Sequence, residues 1–194
     1  MFDSDAQPPR SIFTIGVLSE AALGVVAIAV GWLVGVQPLA QVEWNGSGVG
    51  LGTLAAVPLL AALWVMTRWP LGPLRSLDEL VRRLVVPLFR DCSLVQLAVI
   101  SAAAGFGEEL LFRGLLQAGV DRWTGMPWLA IAVAGLLFGL AHPISTTYVV
   151  LAALIGVYLG WLLLATDNLL VPIVAHAVYD FVALVYLLRG EQVH

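Results

Sequence analysis

The hydrophobic positions of the chain fall into six long segments that are separated by short polar breaks. The segments run approximately Ile12–Val36, Leu51–Thr67, Leu94–Gly119, Pro127–Ala141, Thr147–Ala165 and Leu169–Leu188. The breaks between them contain Gly, Pro, Asn and Asp, which are the residues that favour turns. Because a helix that spans a bilayer needs roughly 20 mostly apolar residues, this pattern predicts about six transmembrane helices.

A different pattern lies between the second and third segments, at Leu74–Arg90. Apolar residues recur there at helical spacing, and arginines fall between them. This pattern is typical of an amphipathic helix that lies on the membrane surface with its arginines at the lipid headgroups. Pro87 is expected to kink or end the helix. We favour the interpretation that it is an ordinary connector without a regulatory role.

The composition is that of a protein that lies almost wholly in the membrane. Of 194 residues, 60% are hydrophobic and 11% are charged, whereas soluble domains carry about 25% charged residues. We therefore expect an all-α membrane protein, with residues 1–194 forming a single transmembrane domain. It should be a bundle of about six transmembrane helices plus one amphipathic interfacial helix, with the lipid bilayer as its surroundings.

Charge and cysteine content exclude several other classes of protein. The net charge of −4 and the lack of a basic tail or patch give no reason to expect a nucleic-acid partner. Cys92 is the only cysteine, which excludes an internal disulfide and a cysteine-rich zinc site.

The arginines are distributed unevenly around the predicted spans. With a cytoplasmic N-terminus, seven arginines lie inside: Arg10, Arg68, Arg75, Arg82, Arg83, Arg90 and Arg189. Only Arg122 then falls in an outer loop. By the positive-inside rule, we expect an integral protein of a bacterial plasma membrane with both termini cytoplasmic. The first segment is longer than the apolar region of a signal peptide, so we expect it to be retained as a span.

The first group of polar residues inside a predicted span is Glu108-Glu109-Leu-Leu-Phe-Arg113. A charged group in hydrocarbon costs at least ~2.5–3.5 kcal/mol on insertion scales, so each one needs a reason. Glu109 and Arg113 are four residues apart in the favourable order for a helical ion pair, whereas Glu108 points about 100° away. We infer that Arg113 neutralises Glu109 and leaves Glu108 as a candidate general base. A purely structural ion pair remains an open alternative.

Two further polar groups lie on other predicted spans. Phe138 and His142 share a helix face, and Pro143 disrupts the helix just after them. His176 and Asp180 are also four residues apart on one face of the last span. Taken alone, each group has a structural explanation, because a buried histidine can bond a neighbouring backbone carbonyl and His176 can pair with Asp180.

The distribution of the histidines favours one shared polar site. The chain has three histidines, and the third, His194, is its last residue. Both interior histidines therefore lie in a span beside another notable residue. Because three such groups lie on three helices, one shared polar site is a better explanation than three unrelated structural interactions. Two other features are given no chemical role. Glu20 lies near the start of the first span and is assigned no function. Small residues spaced four apart in the fourth and fifth spans are interpreted as helix-packing positions: Gly135, Gly139, Ala152, Gly156 and Gly160.

These motifs, in this order, resemble the CPBP family of intramembrane peptidases (CAAX protease and bacteriocin-processing, also called Abi or Rce1-like). The family pattern is Glu-Glu-x-x-x-Arg, then Phe-x-x-x-His, then His-x-x-x-Asn/Asp, each on a transmembrane helix. Here the motifs read EELLFR at 108–113, FGLAH at 138–142 and HAVYD at 176–180. The similarity covers about residues 74–188.

The resemblance implies an intramembrane endopeptidase of the CAAX-protease type. Its substrate would be a membrane-associated protein or peptide, prenylated or not. In the family the first glutamate and first histidine activate water, which maps to Glu108 and His142, and the later pair forms the oxyanion site, which maps to His176 and Asp180. Three residues are expected to support these four: Glu109, Arg113 and Phe138. Helical geometry and the resemblance thus agree on Glu108 as the free carboxylate.

Three alternatives stay open at this point. No cofactor is expected, but Glu108, His142 and His176 are also a ligand set found in catalytic zinc sites, although the compact HExxH arrangement is absent. A non-catalytic immunity or scaffold protein would keep the same fold. A proton-coupled transporter also uses buried carboxylates and histidines, but the chain shows no repeated pair of broken spans.

Two details do not follow the expected pattern. Asp180 stands where the CAAX-cleaving members carry Asn, and an aspartate supplies the same hydrogen bond only when it is protonated. In addition, Glu108 is expected well inside its span, whereas His142 ends its own span near the cytoplasmic side. A tilted or interfacial start to the third span would bring the two residues level.

Overall fold

A computed structural model describes residues 9–69 and 71–189. Residues 1–8, 70 and 190–194, and with them His194 and the ends of the predicted 1–194 domain, lie outside the described residues. The described chain forms helices and no strands. In chain order the helices are α1 (Pro9–Val34), α2 (Gly46–Arg68), α3 (Pro73–Phe89), α4 (Leu94–Thr124), α5 (Pro127–Leu140), α6 (Thr146–Thr166) and α7 (Leu170–Arg189). A 3-10 turn at Pro38–Gln41 lies between α1 and α2.

Five of these helices are long and apolar enough to cross a membrane: α1, α2, α4, α6 and α7. The predicted all-helical membrane bundle is therefore confirmed. A sixth apolar helix, α5, is shorter, with 14 residues. At 1.5 Å per residue it is about 21 Å long, less than the ~30 Å of a bilayer core.

The middle of α4 departs from regular α-helix. Its first part, Leu94–Glu109, is α-helical, and the next eight residues, Leu110–Gln117, form a π-helical segment before the α-helix resumes. The wider turns begin directly after the Glu108–Glu109 pair. Such segments inside α-helices are frequent at functional sites.

α4 lies at the centre of the bundle. Both α1 and α7 pack against it, α2 packs on α7, and α5 pairs with α6. The predicted packing role of Gly135, Gly139 and Gly156 is confirmed at the α5–α6 contact. A Cβ atom at Gly139 would lie 2.5 Å from the Val149 carbonyl oxygen, and one at Gly156 would lie 3.0 Å from Cα of Gly135.

The predicted amphipathic helix is present as α3. Leu77 and Val86 are buried, whereas Leu84 and Leu88 are exposed. Arg82 pairs with Asp78 at 3.0 Å and donates to the Leu187 carbonyl on α7 at 3.4 Å. The helix tolerates Pro87 in its last turn and ends two residues later, at Phe89. Its position at the membrane surface remains a prediction.

The contact between α2 and α7 generates a test of the packing. A Cβ at Gly52 would lie 2.7 Å from the Val171 carbonyl oxygen and 2.6 Å from Cβ of Val174, whereas a Cβ at Gly50 meets nothing within 4 Å. We expect Gly52→Ala to lower the free energy of unfolding by about 1–3 kcal/mol, because the helices must move apart.

Gly50→Ala, on the same helix, is the matched control and should leave stability equal or slightly higher, since Ala is the better helix former. Unfolding by SDS titration in detergent micelles measures both variants. Equal stability of the two variants would contradict the close helix contact.

Candidate active site

A fully buried ion pair lies at the centre of the site. Nη1 of Arg113 contacts Oε1 of Glu109 at 2.9 Å, and both side chains are completely inaccessible to solvent. Nη2 of Arg113 donates to the Gly156 carbonyl on α6 at 2.7 Å. The spacing of the two residues along α4 predicted this pair. Because Arg113 is held on both sides, it neutralises Glu109 and also joins α4 to α6.

His176 links α7 to the same ion pair. Its Nδ1 atom is 2.8 Å from Oε1 of Glu109 and, because a carboxylate accepts, the imidazole donates. Its Nε2 atom is 3.4 Å from Oδ2 of Asp180, one turn along α7. The ring therefore lies between two carboxylates, and Glu109 has a second partner that the sequence pattern did not indicate.

Glu108 faces the other histidine. Its Oε2 atom is 3.7 Å from Nε2 of His142, and this oxygen has no hydrogen-bond partner among the described residues. Nδ1 of His142 is 2.7 Å from the Phe138 carbonyl oxygen, to which it donates. This hydrogen bond to a neighbouring backbone carbonyl is the one expected of a histidine with a structural role. It also orients the other ring nitrogen, Nε2, toward Glu108.

The short helix α5 explains how His142 reaches the depth of Glu108. α5 ends at Leu140, and the turn that follows it places Nε2 of His142 3.7 Å from Oε2 of Glu108. The two residues, which the sequence left at different depths, are therefore level with each other. The tilt of α4 and the depth of both residues in the membrane stay predictions.

Phe138 packs between the reactive side chains. Its ring centroid lies 4.7 Å from that of His142 and 5.8 Å from that of His176. The guanidinium carbon of Arg113 stands 4.5 Å from the centre of the Phe138 ring, a distance that permits a cation–π interaction. A single aromatic side chain thus holds both histidines and the arginine at fixed spacing.

The seven residues singled out in the sequence lie in one cluster built by α4, α5 and α7, and their chemical roles remain predictions. The cluster is closed on one side and open on the other. Glu109 and Arg113 have no exposed side-chain surface, whereas the side chains of His142 and Asp180 are 26% and 30% exposed. The cluster therefore reaches the surface of the bundle at His142 and Asp180.

Two residues at the site, Glu20 and Tyr148, were not predicted from the sequence. Glu20 on α1 interacts electrostatically with Glu108, His176 and Asp180, and its backbone carbonyl packs directly on Gly107. Tyr148 at the start of α6 places its ring 6.1 Å from that of His142. A signal for Glu20 was available, because glycines at positions 16 and 24 mark its helix face as a packing face. No local pattern indicates Tyr148, whose place depends on the turn after α5.

The zinc alternative remains a hypothesis. Among the residues that the structure describes, no group of three His, Cys, Asp or Glu side chains could hold a metal ion. In the proposed set of Glu108, His142 and His176, the last already contacts a carboxylate with each ring nitrogen. It would have to break one of these contacts to bind zinc.

The fold and the site together define an integral membrane protein with a glutamate–histidine site among its helices. Residues 90–182 match the Rce1-like family model, described as type II CAAX prenyl endopeptidase Rce1-like. Residues 90–182 are thus similar to an Rce1-like domain, consistent with the CPBP family, and the resemblance seen in the motifs is confirmed. This domain supports an intramembrane protease function. Comparisons with curated proteins and with solved structures gave no match.

The buried ion pair generates a prediction about stability. We expect Arg113→Met to lower the free energy of unfolding by about 3–5 kcal/mol, because it leaves Glu109 buried without a positive partner. Arg75→Met is the control, since the pair of Arg75 with Glu79 is exposed and such pairs contribute less than about 1 kcal/mol. Thermal unfolding in detergent measures both. Similar losses in the two variants would show that the Glu109–Arg113 pair is not buried as described.

Proposed function

We propose that the chain is an intramembrane endopeptidase in which Glu108 and His142 activate the water that hydrolyses a peptide bond. The substrate would be a membrane-associated protein or peptide. The observation that carries this proposal is the unpartnered Oε2 atom of Glu108, which faces Nε2 of His142 at 3.7 Å. The Rce1-like domain over residues 90–182 gives the reaction class.

The catalytic water would bridge the two side chains from one side. Since hydrogen bonds are about 2.8 Å long, one water oxygen can lie within bonding distance of two atoms that are 3.7 Å apart. Glu108 removes a proton from this water, and His142 orients it by accepting its other hydrogen. The water oxygen then attacks the scissile carbonyl carbon, and Glu108 returns the proton to the amine nitrogen as the C–N bond breaks.

His176 and Asp180 stabilise the oxyanion of the tetrahedral intermediate. The contact between Nδ1 of His176 and Glu109 at 2.8 Å fixes the ring, so that its Nε2 side faces Asp180 and the open part of the site. In its protonated form Asp180 donates a hydrogen bond, as the asparagine of related sequences does. Preoriented donors of this kind are usually the largest single contribution to catalysis of acyl transfer.

Glu109, Arg113 and Phe138 position these groups without touching the substrate. The ion pair and the aromatic ring hold α4, α5 and α7 at the spacing that the four reactive side chains need. We also place both termini on the cytoplasmic side, because nearly all the arginines outside the spans then lie on that side, as the positive-inside rule requires.

Glu108→Gln tests the proposal most simply. We expect it to reduce peptide cleavage by at least about 10²–10⁴-fold, because the amide cannot accept the proton from water. Expression and unfolding temperature should stay unchanged, since the shape is preserved. Glu43→Gln is the control for loss of one carboxylate, because Glu43 is exposed in the loop before α2. A non-catalytic scaffold would function equally with Gln at position 108, and full cleavage by this variant would exclude the proposed base.

A chelation experiment addresses the zinc alternative. With water activated by Glu108 and His142 directly, incubation with EDTA followed by its removal should leave the cleavage rate unchanged. The rate is measured with and without added ZnSO₄ after chelation. Loss of activity that zinc alone restores would contradict the metal-free mechanism and favour Glu108, His142 and His176 as ligands.

A further inference from the structure

We propose that Glu20 determines specificity at the peptidase site by binding a cationic side chain of the substrate, an arginine or lysine next to the scissile bond. This inference rests on the proposed peptidase function. Glu20 lies outside residues 90–182, which match the family model, and has no part in the proposed hydrolysis. Its effect would fall on which peptide is bound.

The packing of α1 on α4 places Glu20 beside the catalytic glutamate. The Glu20 carbonyl is so close to Gly107 that a Cβ atom at this glycine would collide with it. One turn to either side, Gly16 faces Ile100 and Gly24 faces Leu110, both on α4. Glu20 therefore lies on the face of α1 that contacts α4, next in space to the residue that precedes Glu108.

The carboxylate of Glu20 is partly buried and forms no ion pair with a described arginine. Its Oε2 atom is inaccessible and accepts no hydrogen bond from any described residue, and the described salt bridges do not include it. Arg113 is not available, because it is held by Glu109 and the Gly156 carbonyl. The electrostatic interaction of Glu20 with Glu108 is repulsive, and those with His176 and His142 are attractive when these imidazoles are protonated.

Glu108 contributes a second carboxylate near Glu20. Glu108 is only 9% exposed, and the two carboxylates interact electrostatically across the contact of α1 with α4. They therefore form one negative region, while Oε2 of Glu108 keeps its place beside His142. A guanidinium or ammonium group that binds Glu20 would gain from both charges and supply the donor that Oε2 of Glu20 lacks. A neutral side chain would supply neither the charge nor a charged donor.

The open side of the cluster suits the entry of such a group. The side chains of His142 and Asp180 at this edge are 26% and 30% exposed, so an approaching side chain would enter there. We infer that the preferred substrate has an arginine or lysine beside the bond that is cut, and that an acidic residue at this position is rejected.

The experiment uses the full chain in lipid nanodiscs with a set of fluorescent apolar peptides. The peptides differ in the position of their single arginine. Each is paired with a control peptide that has citrulline at the same position, because citrulline has a similar shape but no charge. Fluorescence anisotropy, with empty nanodiscs as the blank, gives the dissociation constant, and mass spectrometry gives the cleavage rate. At one position we expect the arginine peptide to bind about tenfold more tightly than its citrulline partner.

The variants separate a specific role of Glu20 from a structural one. Glu20→Gln should reduce the arginine-to-citrulline ratio to about one, Glu20→Asp should give an intermediate ratio, and Glu43→Gln should keep the ratio of the unaltered chain. A merely structural Glu20 would weaken both peptides equally and leave the ratio unchanged. If Glu20→Gln fails to fold, the ratio measured with Glu20→Asp decides the question in the same way.

Two results overturn the inference: equal binding of both peptides by the unaltered chain at every position, or an arginine preference that survives in the Glu20 variants. Failure of the proposed function has a different signature. If the chain is not a peptidase, the arginine preference in binding would still depend on Glu20, but no peptide would be cleaved.

Discussion

The site depends on one buried network, in which Arg113 holds Glu109 and Glu109 holds His176. Each contact is 2.9 Å or shorter, and the ion pair has no exposed surface. An unpaired charge in this place would be strongly destabilising, so the network forces α4, α6 and α7 together at one level of the bundle. Because Glu108 is the neighbour of Glu109 on α4, the same network turns its carboxylate about 100° away, toward α5.

A second constraint is the length of α5. A helix of 14 residues is shorter than the five spanning helices, and the turn that follows it carries His142 to the level of Glu108. The wide helical turns at Leu110–Gln117 begin at the same level of α4. Irregular backbone inside a membrane protein is tolerated where it lines a cavity or is buried in protein. The π-helical segment of α4 and the turn after α5 therefore both lie next to the proposed catalytic residues.

The sequence predicts the helices well because membrane spans need long apolar runs, and the pair of Glu109 with Arg113 follows from helical spacing alone. The contact of Glu109 with His176 joins residues that are 67 positions apart, and no local pattern specifies such a contact. Likewise, the apolar run 127–141 resembles a full span, and only the packed structure shows where it turns back. Glu20 was set aside because its partners lie on another helix.

The central claim is that Glu108 and His142 share a water molecule inside the bundle. The most direct measurement is a high-resolution experimental structure in lipid nanodiscs at which ordered water is visible. The account predicts density for one water within hydrogen-bond distance of both Oε2 of Glu108 and Nε2 of His142. A dry apolar contact between them, or a separation too large for one water to bridge, would contradict it.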